Sequence, residues 1–179
     1  MTEKDLITAC KKQERAAQKL LFERFAPLML GVCRRYVKVP EDAEDVMVAG
    51  FYKVLSKIDS FTGDGSFEGW IRRIMINESL MLLRNNQRIK YTEEINPNLD
   101  ATEEPTIVDE LSAGAILALL DELPPGYRTV FNLYVVEGYK HREIAQALGI
   151  SINTSKSQLI LAKNRMAELV KKRLGVRCD

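Results

Sequence analysis

Apolar residues recur at helical spacing through most of the chain. Leu20, Leu21, Phe25, Leu28 and Met29 fall three and four apart and continue to Val32 and Tyr36, which predicts an amphipathic helix. Pro40 breaks that run, and the stretch from Pro40 to Val46 opens another helix, with Glu41, Asp42, Glu44 and Asp45 near its start. Proline fits the first helical position, where its missing N–H costs nothing, and first-turn acids complement the helix dipole. Val46, Phe51, Val54, Leu55 and Ile58 form the side of this helix expected to be buried. The segment from Asp59 to Phe67 contains Gly63 and Gly65 and is expected to be a loop. A third long helix follows from Trp70, with Ile71, Ile74, Met75, Leu82 and Leu83 inward and Arg72, Arg73, Arg84, Arg88 and Lys90 outward. After Ala113 the pattern predicts a short helix, a break at Pro124-Pro125-Gly126, and another helix from Tyr127 towards Gly138. No segment alternates as a strand does. The expected fold is all-α: two small helical domains joined by a flexible acidic linker, the second carrying a helix-turn-helix.

That helix-turn-helix is the most specific local pattern, and it runs from His141 to Val170. Ile144, Ala145 and Leu148 fall on one face of its first helix. Gly149 can adopt the left-handed turn, Ile150 fills the corner, and Ser151 or Asn153 can cap the second helix. Leu159, Ala162, Met166 and Leu169 are expected inward, with Thr154, Lys156, Ser157, Gln158 and Lys163 outward. Short polar donors near a helix start, with cations behind them, suit a major groove, where side chains meet base edges and lysines hold phosphates.

Charge separates the two domains. Met1 to Thr92 carries 16 Lys/Arg against 12 Asp/Glu, and Ala113 to Asp179 carries ten against six. Between them, Glu93 to Ser112 holds seven acids and no base, together with Pro97 and Pro105. The expected division is therefore 1–92, a linker at 93–112, and 113–179. Twenty extended residues reach at most roughly 65 Å, enough to separate the two modules by tens of Å.

Composition removes several classes of function. No run approaches a membrane span of about 18 apolar residues, and the first fifteen residues lack a signal-peptide pattern. Cys10, Cys33 and Cys178 have no metal-ligand spacing and fit a reducing cytoplasm. The single histidine, His141, is expected to be a first-turn surface residue. With no phosphate loop, nucleophile–base set or metal spacing, neither an enzyme, a cofactor nor a metal is expected.

Taken in order, these segments resemble the small, extracytoplasmic-function (ECF) sigma factors of the sigma-70 family. The stretch from Asp42 to Val54 resembles the segment of region 2 that docks on core RNA polymerase. The stretch from Phe67 to Arg84 resembles the segment that opens and reads the −10 element. The stretch from Leu123 to Lys163 resembles region 4, which reads the −35 element. The resemblance implies core RNA polymerase and promoter DNA as partners, with an anti-sigma factor as a further candidate. It implies core contacts at Asp42, Glu44 and Asp45. For the −10 element it implies a base pocket in the loop at Ser60, Phe61, Thr62 and Asp64, with Arg72, Arg73, Asn77, Arg84 and Arg88 along the strand. Trp70 can either stack on DNA or sit in the core, and Phe61 carries the same ambiguity. For the −35 element it implies Asn153, Thr154, Lys156, Ser157, Gln158 and Lys163; Gln158 would pair with adenine and the lysines with guanine or phosphate. Linkers of this family lie along the polymerase active-site cleft and RNA exit path.

The chain also departs from the family pattern. Val48, Ala49 and Gly50 stand where Gln-Glu-Thr is usual, which makes the docking face more apolar. Ser155 replaces a usual Val and Gln158 a usual Arg, so the base preference of better-known members does not transfer. Lys140 stands where Ser or Thr often caps the preceding helix, which weakens that cap. Two other classes fit the residues less fully. A stand-alone helix-turn-helix regulator would bind duplex DNA tightly without polymerase, and an adaptor protein would not need Lys156 and Gln158 at all.

Overall fold

A computed structural model describes residues 1–85 and 118–173. The linker expected at 93–112, together with Arg88 and Lys90, lies outside the described residues. The chain separates into two compact units, Met1–Asn86 and Gln87–Asp179. The described residues form helices and connecting turns, with no strand among them.

The first unit contains α1 (Glu3–Lys11), α2 (Arg15–Tyr36), α3 (Pro40–Lys57) and α4 (Phe67–Asn85). Helix α1 starts at a capping box. The Asp5 amide donates to the Thr2 hydroxyl, and the Thr2 amide donates back to the Asp5 carboxylate. Each bond satisfies an amide that the first helical turn leaves without a carbonyl partner. Helix α3 begins with Pro40 at its first position and Glu41 and Asp42 in its first turn, as the sequence predicts.

Helices α2, α3 and α4 pack on one another and share one core. Leu21, Phe25, Met29 and Tyr36 enter it from α2, Phe51 and Val54 from α3, and Ile71 and Met75 from α4. Leu20 and Leu28, counted with the apolar stripe of α2, are more than a third exposed and lie at its edge. Helices α3 and α4 approach closely at Gly50. A Cβ there would overlap the Met75 sulfur, well inside van der Waals contact. The threonine usual at this position would require the end of the Met75 side chain to move.

The second unit contains residues 118–121, which are helical, then α5 (Pro125–Phe131), a π-helical turn (Asn132–Val136), α6 (His141–Leu148) and α7 (Ile152–Arg173). The helix expected from Tyr127 begins two residues earlier, at Pro125, and widens into the π turn after Phe131. Leu119, Leu120 and Leu123 pack against Ala162, Met166, Leu169 and Val170 of α7, with Tyr127 and Phe131 at the margin. An ion pair from Arg173 to Glu122 at 2.9 Å ties the end of α7 to the same layer.

Candidate nucleic-acid interface and docking groove

The turn between α6 and α7 has the geometry the sequence predicts. Gly149 ends α6 with φ 67° and ψ 34°, the left-handed conformation that a side chain disfavours. Ser151 caps α7: its hydroxyl accepts from the Thr154 amide at 2.9 Å. At the start of α6, the Glu143 carboxylate accepts from the Lys140 amide at 2.8 Å. A lysine side chain has no acceptor to return that bond, so only half a capping box is available.

The outward face of α7 differs from the sequence expectation. Asn153 and Lys156 are exposed, and Ser157 and Lys163 are half-buried. Thr154 and Gln158, expected outward, are buried at 6% and 1% exposure. The reason is helical spacing. Gln158 precedes the fully buried Ala162 by four residues, and Thr154 precedes Gln158 by four, so all three lie on one side. Both are therefore withdrawn as base-reading side chains. Ile160, between Lys156 and Lys163 on the half-exposed side, was missed because apolar residues are assigned inward by type. An apolar side chain there suits a thymine methyl.

His141 is also corrected. It is half-buried, not a surface residue; its ring stacks on Tyr134 at 4.6 Å, and Nδ1 lies 2.9 Å from the Ser155 hydroxyl. This bond partners the buried hydroxyl of Ser155, at the position where the family usually has valine. Burial, and then the nearby Lys156 ammonium, push the His141 pKa below its ordinary value. Both effects favour the neutral ring over the cation.

In the first unit, the loop after α3 starts with a 3₁₀ turn, Ile58–Ser60, and then passes through Gly63 and Gly65, at φ 91° and 92°. Ser60 donates to the Lys57 carbonyl at 2.6 Å, and Thr62 donates to the Asp64 carboxylate at 2.9 Å. Ser60, Thr62 and Asp64 are exposed. Phe61 is 8% exposed and packs on Phe67 and Trp70 at 5.1 and 5.5 Å. Trp70 is half-buried and stacked on Phe67. Both ambiguous aromatics therefore belong to the loop's apolar anchor and not to an exposed stacking platform.

The anchored loop forms one wall of a cleft of about 400 Å³, through Phe61, Thr62, Gly63 and Gly65. The other wall is a face of α1 bearing Glu3, Lys4, Ile7, Thr8 and Lys11. Beyond the loop, Arg73, Asn77 and Arg84 are exposed on α4. Their spacing of four and seven residues places them along one side of the helix. Arg72 is half-buried, off that stripe, and already partnered.

The carboxylates at the start of α3 divide into two sets. Asp42 and Asp45 line a groove of about 270 Å³ together with Val46 and Ala49. Glu78 and Met81 of α4 complete it, and Glu78 also receives the Lys53 ammonium at 2.6 Å. Glu44 instead faces α2, where it pairs with Arg34 at 3.8 Å. Val48 and Tyr52, spaced one turn apart on α3, are 56% and 75% exposed. Side chains this apolar at this exposure beside a carboxylate-lined groove fit a protein-binding surface.

Two family descriptions match the chain in this same order: Sigma-70 region 2 over residues 21–89 and Sigma-70, region 4 over residues 113–166. The chain belongs to the sigma-70 family. Within it, the curated relatives place it in the ECF group. The ECF RNA polymerase sigma factor SigE of Mycolicibacterium smegmatis is 29% identical over 136 residues, covering 73% of this chain and 52% of that protein. The ECF RNA polymerase sigma-E factor of Haemophilus influenzae is 24% identical over 176 residues, covering 91% of this chain and 92% of the relative. Among solved structures, the sigma factor RpoE in complex with the anti-sigma factor NepR from Bartonella quintana matches with a TM-score of 0.53 at 23% identity. It covers 86% of this chain and 96% of RpoE, and supports the fold.

This ECF sigma factor works with core RNA polymerase and promoter DNA in transcription initiation. Sigma factors are non-enzymatic initiation factors. No described helix is long and apolar enough to cross a membrane, and no cluster of metal-ligating side chains occurs among the described residues.

Proposed function

We propose that the two units divide promoter recognition between duplex and single-stranded DNA. The second unit reads the −35 duplex through Asn153, Lys156, Ser157 and Lys163 of α7, with Ile160 as an apolar contact. The first unit takes the −10 non-template strand along Arg73, Asn77 and Arg84 and seats one extruded base beside Ser60, Thr62 and Asp64. Asp42 and Asp45, with the exposed apolar positions of α3, dock on a basic surface of core polymerase. Neither unit performs a covalent step. The chain acts in the cytoplasm, and a protein partner such as NepR is for RpoE fits as a regulator that competes for the same surfaces.

The observation that carries this reading is the cleft beside the glycine loop. It lies in the same unit as an exposed cationic stripe on α4, while the other unit contains the helix-turn-helix. Unpairing a base costs a few kcal/mol, so a site for an extruded base implies that the bound strand is already open. A stand-alone duplex regulator has no use for such a site.

Lys156→Ala is expected to weaken transcription from a −35-dependent promoter and leave core binding unchanged. A lost base contact lowers discrimination by about 1–3 kcal/mol, whereas a lost phosphate contact weakens all sequences alike. In vitro transcription with core polymerase, on promoters altered one base at a time in the −35 element, checks this. Unchanged output on every template would exclude α7 from promoter reading.

A further inference from the structure

The family match to region 2 begins at residue 21, so α1 lies entirely outside it. Yet α1 is a fixed part of the first unit. Its capping box closes one end, Leu6 and Cys10 are fully buried, and it packs on α2 and on the 3₁₀ turn Ile58–Ser60. From its last turn, the Lys11 ammonium donates a 3.0 Å hydrogen bond to the Phe61 carbonyl, fifty residues away in sequence.

That bond falls at a mechanically important point. Phe61 is where the backbone leaves the 3₁₀ turn and enters the two-glycine segment, whose glycines lack a Cβ and restrain the backbone least. The Phe61 ring is anchored in the aromatic cluster, and its carbonyl is held by Lys11. Ring and carbonyl together fix the direction in which Thr62, Gly63 and Asp64 project. The α1 face that carries Lys11 also carries Glu3, Lys4, Ile7 and Thr8, which form the opposite wall of the cleft.

Resting on the proposed −10 role of the first unit, we infer that α1 is the second wall of the base-accepting cleft. Lys11 is its positioning residue: it sets loop geometry, and through it base preference, without touching the base. Lys4, exposed on the same wall, is placed to meet the strand itself, as a cation beside the phosphate of the extruded nucleotide.

The test uses the full chain with core polymerase and a library of single-stranded DNA decamers randomised at every position, read by sequencing of the bound fraction. Lys11→Met keeps the length and apolar stem of the side chain and removes the donor. It should flatten base preference at one position by about tenfold, as expected for a lost charge-assisted hydrogen bond. Core affinity and −35 duplex preference should stay unchanged, and Lys11→Arg, which restores a donor, should recover most of the preference. A purely structural role would lower the melting temperature and affect all positions equally. If Lys11→Met fails to fold, Lys4→Gln carries the test, with an expected threefold or so loss of affinity and a smaller salt dependence. Wild-type preference retained in Lys11→Met, or, where Lys11→Met does not fold, unchanged binding in Lys4→Gln, overturns the role of α1. Absence of any base preference in the wild-type holoenzyme overturns the −10 reading itself, so the two failures are distinguishable.

Discussion

Replacing Asp42 and Asp45 with lysine is expected to weaken assembly with core polymerase by roughly a hundredfold or more. Both carboxylates line one groove between α3 and α4. Reversing them places like charges against a basic partner surface, and such juxtaposition costs several kcal/mol. Fold stability should change much less. Only Asp42 lies in the first turn of α3, so the dipole penalty is about 0.3–1 kcal/mol. Glu44→Lys is the internal comparison. Its carboxylate faces Arg34 and not the groove, and an exposed pair at 3.8 Å contributes little, so its effect on assembly should be small. Core binding by titration and thermal melting, measured on the same three variants, check this. Equal loss of assembly from Glu44→Lys and Asp45→Lys would mean that the groove is not the docking site.

Gln158→Leu is expected to stabilise the second unit. The Gln158 side chain is buried, and neither its amide nitrogen nor its carbonyl oxygen has a protein partner among the described residues. A buried polar group without a partner costs about 1–3 kcal/mol, and a leucine of similar length removes that cost. For a unit of this size, each kcal/mol raises the melting temperature by about 4–8 °C. Promoter preference should survive the change, because the side chain faces away from the DNA-reading surface. A lower melting temperature together with lost −35 preference would return Gln158 to the outward role that its residue type suggests.

Gln158 also marks the limit of what is legible in the sequence. Helix α3, its proline start and the glycine loop are readable because Pro40, the first-turn acids and Gly63 each dictate local backbone geometry. The Gly149 turn and the Ser151 cap are readable for the same reason. The outer face of α7 is misassigned where polarity is allowed to outrank spacing. Thr154 and Gln158 are polar, but they share a side with Ala162, and helix geometry decides which way they point. Phe61 and Trp70 are resolved only by packing, because an aromatic ring suits a core and a base stack equally well.

Helix α1 carries a start signal but too short an apolar stripe to stand out beside the longer helices. Thr2 and Asp5, three residues apart and followed by Leu6, Ile7 and Cys10, form a capping-box pattern with an apolar face behind it. The cleft it helps to form is not legible, because Lys11 and Phe61 meet through tertiary packing across fifty residues. The two sets of carboxylates on α3 have the same limitation. Only the positions of α2 and α4 show that Glu44 turns towards Arg34 while Asp42 and Asp45 face the groove.

An open −10 strand held by the first unit would separate a sigma factor from a duplex-binding regulator. The affinity of the full chain with core polymerase for a promoter's −10 non-template strand, compared with the matching duplex, tests this. Tighter binding to the single strand is expected, because the unpairing cost of a few kcal/mol is absent there, together with a steep fall of affinity with salt through Arg73 and Arg84. Equal or tighter binding to the duplex would contradict it.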